Sequence, residues 1–130
     1  MKYLLMINVP YAAGEYEGMP PDDWRAHLDY LTRMNRGLTA SGELAGVQAL
    51  APPGQAKVVR AGKDGRAVIT DGPFPEAKEF LAGFWMVDVN GPERAYQIAA
   101  QGSAAPGPGG APLNMPIEVR QVMSGPPSDG

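Results

Sequence analysis

An amphipathic helix is predicted for residues 20–42, PPDDWRAHLDYLTRMNRGLTASG, and the other elements are arranged around it. Two prolines and two aspartates open the stretch, where a helix accepts proline and where acidic side chains face its positive end. Apolar residues then recur at Trp24, Leu28, Leu31 and Leu38, which lie on one stripe at helical spacing. The closing glycine is typical of the left-handed residue that follows a helix. We therefore expect a helix with one buried face.

Short apolar stretches predict strands on both sides of this helix. Residues 2–9 and 43–50 are too short for helices and rich in residues that favour strands. Residues 56–60 and 66–70 flank a Gly-Lys-Asp-Gly turn whose Asp-Gly pair favours a hairpin. The chain continues with a strand at 84–89, a second helix at 93–101 and a last strand at 117–123.

This order of elements is the split β-α-β layout of a ferredoxin-like α+β fold, with both helices on one face of the sheet. The other face still needs cover, so we expect a homodimer packed sheet to sheet. The length of 130 residues fits one domain, which we place at residues 1–123. Two stretches rich in glycine and proline, 102–112 and the tail 124–130, are expected to be a mobile loop and a frayed end.

Composition excludes several classes of function. The 11 basic and 14 acidic residues give a net charge of −3, which argues against a nucleic-acid-binding surface. The chain contains no cysteine and one histidine, so we expect no thiolate chemistry, no metal site and no cofactor bound by such ligands. No glycine-rich phosphate loop is present. The first apolar run is too short for a signal peptide or a membrane span, so we expect a cytoplasmic protein with no membrane partner.

Two residues are candidates for chemistry. His27 falls at the boundary of the helical stripe, where an imidazole can face a cleft and act as a base. The alternative is a half-buried histidine with its polar edge in water. Asp71 follows a predicted strand and opens Asp-Gly-Pro-Phe, where an aspartate can belong to a site or simply shape a tight turn. It can equally cap a short helical turn predicted at 75–79.

A family resemblance lies in the same region. Residues 71–85, DGPFPEAKEFLAGFW, resemble the signature of the YCII-related family, whose members include the DGPF-domain proteins. The stretches 117–123, IEVRQVM, and 2–7, KYLLMI, are similar to the closing and opening strands of that family. The resemblance therefore covers residues 2–123.

The resemblance implies a ferredoxin-like protomer, a homodimer of the α/β-barrel type and a pocket in each subunit. Relatives carry a histidine in the first helix and an aspartate near the sheet, proposed as a catalytic pair, and these roles carry over to His27 and Asp71. The stretch 106–116 is longer than usual in the family and is expected to be a lid over the pocket or a disordered loop.

Two functions remain open at this point. In the first, His27 acts as a general base supported by Asp71 on a small cyclic or aromatic molecule. In the second, implied by the association of the family with extracytoplasmic-function sigma factors, the protein is a non-catalytic small-molecule-binding or regulatory module. A purely structural dimer is a third. The residues expected to line the binding site are Gly72, Pro73, Phe74, Lys78 and Trp85. Lys78 is expected to polarise an oxygen, and Phe74 and Trp85 are expected to form apolar walls.

Overall fold

The computed structural model describes residues 1–10, 19–72 and 78–123. The predicted tail at 124–130 lies outside these residues. The described elements are β1 (Lys2–Pro10), α1 (Pro21–Ala40), β2 (Leu44–Ala49), β3 (Lys57–Ala61), β4 (Ala67–Asp71), β5 (Glu79–Asp88), α2 (Pro92–Ser103) and β6 (Ile117–Gln121), with short 3-10 turns at Pro53–Gln55 and Pro108–Gly110.

Four strands form one sheet in the order β2-β5-β1-β6, and each neighbouring pair is antiparallel. The strands on either side of α1, β1 and β2, are separated by β5. The fold is therefore a mixed α+β arrangement of one antiparallel sheet with two helices, compatible with the predicted ferredoxin-like layout.

One face of the sheet carries the core. Tyr3 and Leu5 of β1 alternate with outward-facing neighbours, and Leu5 is paired with Trp85 of β5. Trp85 is 3% exposed, and Leu5 and Ile98 of α2 are fully buried. Both helices contribute to this single cluster.

The predicted hairpin is confirmed as a separate two-stranded sheet. β3 and β4 pair antiparallel, and the turn residue Gly65 adopts φ 81°, a conformation that glycine accepts readily. All five residues of β4 are exposed, and Val59 and Ile69 face each other across the hairpin with 59% and 63% of their surface exposed. This hairpin therefore stands apart from the core.

Strand β5 begins earlier than predicted. It starts at Glu79 instead of Phe84, so Glu79 belongs to a strand and not to the predicted helical turn at 75–79. The rest of that turn lies mostly outside the described residues. Gly83 allows the close approach of β5 to β2, because a Cβ there would lie 2.8 Å from the carbonyl oxygen of Gln48 in β2.

The Gly/Pro-rich stretch between α2 and β6 differs from the expected mobile loop. Ala105 is fully buried, and its carbonyl accepts a hydrogen bond of 2.9 Å from the Leu113 amide. A 3-10 turn at Pro108–Gly110 lies between these two residues. The stretch is ordered because its backbone groups pair with one another and do not need a neighbouring strand.

Helix α2 approaches the sheet through a glycine. A Cβ on Gly102 would lie 3.0 Å from the Trp85 ring, and Trp85 cannot give way easily because its Nε1 donates to Asn35 Oδ1 at 2.8 Å. Gly37, in the interior of α1, has nothing within 4 Å of an added Cβ. A larger side chain therefore fits at Gly37 but meets Trp85 at Gly102.

We expect Gly102→Ala to lower the free energy of unfolding by about 1–3 kcal/mol, because overpacking against Trp85 exceeds the gain in helix propensity. The matched change Gly37→Ala should raise it by about 0.5–1 kcal/mol. Urea unfolding followed by circular dichroism measures both. Equal effects of the two substitutions would contradict the close packing of Gly102.

A charged pair joins the start of β2 to α2. Arg94 donates from Nε and one terminal nitrogen to the Glu43 carboxylate at 2.7 and 2.9 Å, and Ser41 donates to the same carboxylate at 2.8 Å. These hydrogen bonds, that of Arg94 first, lower the pKa of Glu43 from 4.5 to about 2. Because the folded state favours the ionised form, the pair stabilises the fold above the ordinary pKa and ceases to do so as the pH falls through about 2.

We expect Arg94→Met to lower the free energy of unfolding by about 1 kcal/mol at pH 7, since the Arg94 side chain is partly exposed and the pair is screened. The difference from the natural protein should shrink as the pH falls from 4.5 to 2. Arg25→Met is the control, because Arg25 is 75% exposed and lies 4.0 Å from Asp22. Thermal unfolding across this pH range measures the effect, and a difference independent of pH would contradict it.

Candidate functional site

A groove of about 830 Å³ lies between α1 and the sheet. Its size is in the range of small-molecule sites. Its lining is largely apolar. The lining residues come from β1, α1, β2, the segment after β2, β5 and the segment before β6. The principal apolar side chains are Ile7, Val9, Trp24, Leu28, Leu31, Val47, Leu50, Phe80, Trp85 and Met115.

The groove exists because α1 packs on the sheet through only part of its length. Met34 and Leu38, toward the end of the helix, are buried in the core. Trp24 and Leu28, nearer its start, are 36% and 43% exposed and line the groove. The prediction that the whole apolar stripe is buried is therefore wrong for the first half of α1. There the stripe faces a cleft, which leaves apolar surface available to a ligand.

His27 is the buried polar residue of the groove. It is 3% exposed, more buried than its predicted boundary position implies. Its ring stacks on Trp24 at a centroid distance of 5.3 Å and an interplanar angle of 13°. Its Nδ1 lies 3.0 Å from the carbonyl oxygen of Pro106, in the Gly/Pro-rich stretch. Two neighbours thus fix the plane and the orientation of the imidazole.

The Pro106 contact also fixes the tautomer of His27. A carbonyl oxygen only accepts, so Nδ1 must carry the hydrogen and donate it. In the neutral ring, Nε2 then holds the free lone pair. Nε2 has no hydrogen-bond partner within the described chain, and no buried side-chain nitrogen or oxygen there lacks one, so Nε2 retains accessible surface. The groove is the cavity that this ring lines.

The other polar side chains of the groove are neutral. Asn35 accepts the indole hydrogen bond of Trp85, and the Thr32 hydroxyl donates to the Leu28 carbonyl at 2.9 Å. Gln48 lies on β2 at the groove's edge. His27 is therefore the titratable side chain among the described residues that line the groove. Among the described lining residues, it is the side chain suited to accept a proton from a bound molecule.

The structure does not bring Asp71 to His27. Asp71 ends β4 on the separate hairpin, its side chain is 90% exposed, and it pairs with Lys57 at 2.5 Å. The ring of His27 is hydrogen-bonded by Pro106 instead. In this structure the position expected for a carboxylate is taken by a backbone carbonyl.

The remaining predicted binding residues are dispersed. Trp85 lines the groove together with His27. Lys78 is exposed and is not among the lining residues. Gly72 donates its amide to the Ala56 carbonyl at 2.9 Å, and a Cβ there would lie 3.2 Å from the same oxygen, so this glycine permits a close chain approach. Pro73 and Phe74 lie outside the described residues.

Several groove residues had no signal in the sequence pattern. Leu50 and Met115 come from segments beside strands, and only the fold brings them to α1. Pro106 contributes its backbone carbonyl oxygen. Every residue carries such an oxygen, so the residue type does not indicate this contact. Leu28 was part of the helical stripe, but the stripe predicts burial in the core and cannot distinguish it from a cleft wall.

No group of three or more histidine, cysteine, aspartate or glutamate side chains in the described part of the chain could hold a metal ion. Neither of its two helices combines the length and hydropathy needed to cross a membrane.

Comparison with known proteins agrees with the resemblance seen in residues 71–85. Residues 1–108 match the family model described as the YCII-related domain, which is most of the chain. An uncharacterized protein of Rhizobium meliloti (strain 1021) is 33% identical over 78 residues, 60% of this chain and 61% of the relative. The match thus spans less than two thirds of the relative's length.

Proposed function

The chain belongs to the YCII-related domain family, and we propose that it is a cofactor-free acid/base enzyme that binds a small, largely apolar organic molecule in the α1 groove. His27 is the proposed base. The observation that carries the proposal is the geometry of this residue: Nδ1 is committed to a carbonyl, Nε2 is left as an acceptor with accessible surface, and His27 lines an apolar groove. An apolar molecule bound in this groove displaces water from around the base.

The proposed step is a single proton transfer. Nε2 of His27 takes a proton from an acidic C–H or O–H of the ligand, and the electron pair of that bond stays on the ligand. The Nδ1 hydrogen bond to Pro106 is unchanged by the transfer, since Nδ1 donates in both states of the ring. The carbonyl dipole and the face of the Trp24 indole then stabilise the imidazolium. A positioned base of this kind contributes roughly 10²- to 10⁴-fold in rate.

The groove favours planar, apolar ligands. Trp24 and Leu28 present exposed apolar surface at one wall, and Leu50, 46% exposed, lies in the segment after β2. Asn35 and Gln48 can hydrogen-bond a polar substituent. A cyclic or aromatic molecule with one ionisable hydrogen satisfies this combination.

A second candidate is a binding module without turnover, which can be regulatory. One observation favours it: within the described chain, no carboxylate hydrogen-bonds His27. In this case Nε2 of His27 accepts a hydrogen bond from a ligand hydroxyl and no proton is transferred. The engagement of a sigma factor or other partner would then depend on surfaces outside the groove.

The groove itself is tested with the fluorescent probe 8-anilinonaphthalene-1-sulfonate. We expect Leu28→Glu to weaken binding of the probe about tenfold, because it places a charge in the apolar wall. The control is Ile69→Glu, which adds the same charge to an exposed apolar residue on the hairpin. Equal affinities of the two variants would overturn the groove as the binding site.

The base is tested in a second assay, with 5-nitrobenzisoxazole as the substrate. Removal of its ring C–H proton forms a nitrile as the N–O bond breaks, and the oxygen leaves as a coloured phenolate, so the reaction needs a base and nothing else. We expect the protein to accelerate it and His27→Gln to reduce the protein-dependent rate about 10²-fold while probe binding is retained. Probe binding with no rate dependent on His27 would reject the enzyme and favour the binding module.

We also propose that the protein is a homodimer of the α/β-barrel type, formed through the open face of the sheet. Leu4 and Met6 of β1 alternate with the buried residues of that strand, and Met86 is paired with Leu4 across β5. These partly exposed side chains form an apolar centre on the face opposite the helices. Glu118 and Arg120 of β6 lie on the same face at its rim. An apolar centre with a polar rim is typical of an interface.

Light scattering after size exclusion tests the dimer. We expect a mass twice the 13.7 kDa of the chain, and a monomer for Met86→Glu, since the charge would be buried at the interface. Ile69→Glu is again the control and should remain dimeric. A monomeric mass for the natural protein at about 100 μM would contradict the proposal.

A further inference from the structure

We propose that Asp23 is a positioning residue for His27, acting through the Gly/Pro-rich loop 105–113 without touching the ring or a ligand. The inference deepens the proposed function, since its importance rests on His27 as the base of the groove. Asp23 holds the loop on α1, and the loop supplies the carbonyl that fixes the imidazole. The sequence stretch expected to be a lid or a disordered loop would thus serve as a support for the base.

The loop is closed by its own backbone. The Gly107 amide donates to the Ala111 carbonyl at 2.7 Å, and the Gly110 amide donates to the Gly107 carbonyl at 3.0 Å. At its base, the Leu113 amide donates to the Ala105 carbonyl. Pro106 and Pro112 face each other as an isolated bridge. The Pro106 carbonyl is therefore carried by a compact unit that moves as one piece.

Two hydrogen bonds attach this unit to α1. The Gly109 amide donates to Asp23 Oδ2 at 3.2 Å, and Nδ1 of His27 donates to the Pro106 carbonyl at 3.0 Å. Asp23 and His27 are four residues apart, so they lie on the same side of the helix. If the Asp23 contact is lost, the His27 contact is the remaining hydrogen bond between α1 and the loop within the described chain.

The loop is also closely packed within itself. A Cβ on Gly107 would lie 2.5 Å from Cδ2 and 2.9 Å from Cγ of Leu113, and Gly107 is buried. A change of shape within the loop therefore breaks contacts instead of being absorbed. Because the loop keeps its shape, the position of the Pro106 oxygen depends on what holds the loop on α1.

The test is the tautomer of His27, read from the ¹⁵N chemical shifts of its ring in the full chain at alkaline pH. In the natural protein the neutral ring should carry its proton on Nδ1 with a preference of about tenfold, the bias that one hydrogen bond supplies. Asp23→Ala should reduce that preference to about threefold or less. Asp23→Asn should retain it, because the amide oxygen can accept from the Gly109 amide.

The controls separate positioning from stability. Asp29→Ala removes an exposed carboxylate from the same helix and should leave the tautomer unchanged. Gly107→Ala should shift the tautomer as Asp23→Ala does, and adding Leu113→Ala should restore it by removing the clash. A single Nδ1–H tautomer in Asp23→Ala, or the same shift in Asp23→Asn, would overturn the inference. The measurement needs neither ligand nor turnover, so failure of the proposed enzyme activity would be seen separately.

Discussion

The antiparallel pairing of β1 with β5 is the interaction on which the rest of the fold depends. Leu5 and Trp85 meet at its centre, both buried, and the two remaining strands of the sheet add to its outer edges. β5 lies between β1 and β2, and both helices pack on the same face of the sheet. Trp85 contacts both helices. α2 lies so close to its ring that residue 102 has to be glycine, and Asn35 of α1 accepts the hydrogen bond of its indole. The groove begins where α1 extends beyond this tryptophan.

The incomplete packing of α1 links the fold to the site. A helix that covered the sheet along its full length would bury Trp24 and Leu28 and leave no cavity. Here the first half of the helix is supported from the side by the Gly/Pro-rich loop, which contacts it through Asp23 and His27. The cost of exposing apolar side chains is offset by the core, to which the second half of the helix contributes Met34 and Leu38. A binding surface and a stable core are thus provided by different halves of one helix.

Most elements of the fold could be predicted from the sequence, because periodicity and turn residues are local signals. Helical spacing predicts the helix at 20–42, and an Asp-Gly pair predicts the hairpin around Gly65; both are present. The site is predicted only in part. His27 and Trp85 share the groove, but Asp71 does not, since its place depends on how far the hairpin stands from the sheet. The Pro106 carbonyl could not be foreseen, because a hydrogen bond from a side chain to a backbone carbonyl 79 residues away leaves no mark in composition.

The separate hairpin divides the chain into regions of unequal local stability. Its ladder bonds join β3 only to β4, and its side chains add nothing to the central cluster. A two-stranded sheet of this kind is marginal on its own in water. Its amides can therefore exchange with solvent through openings that leave the four-stranded sheet intact, at a free energy below that of global unfolding. We therefore expect two cooperative units, of which the smaller, the hairpin, opens and closes while the four-stranded sheet stays folded.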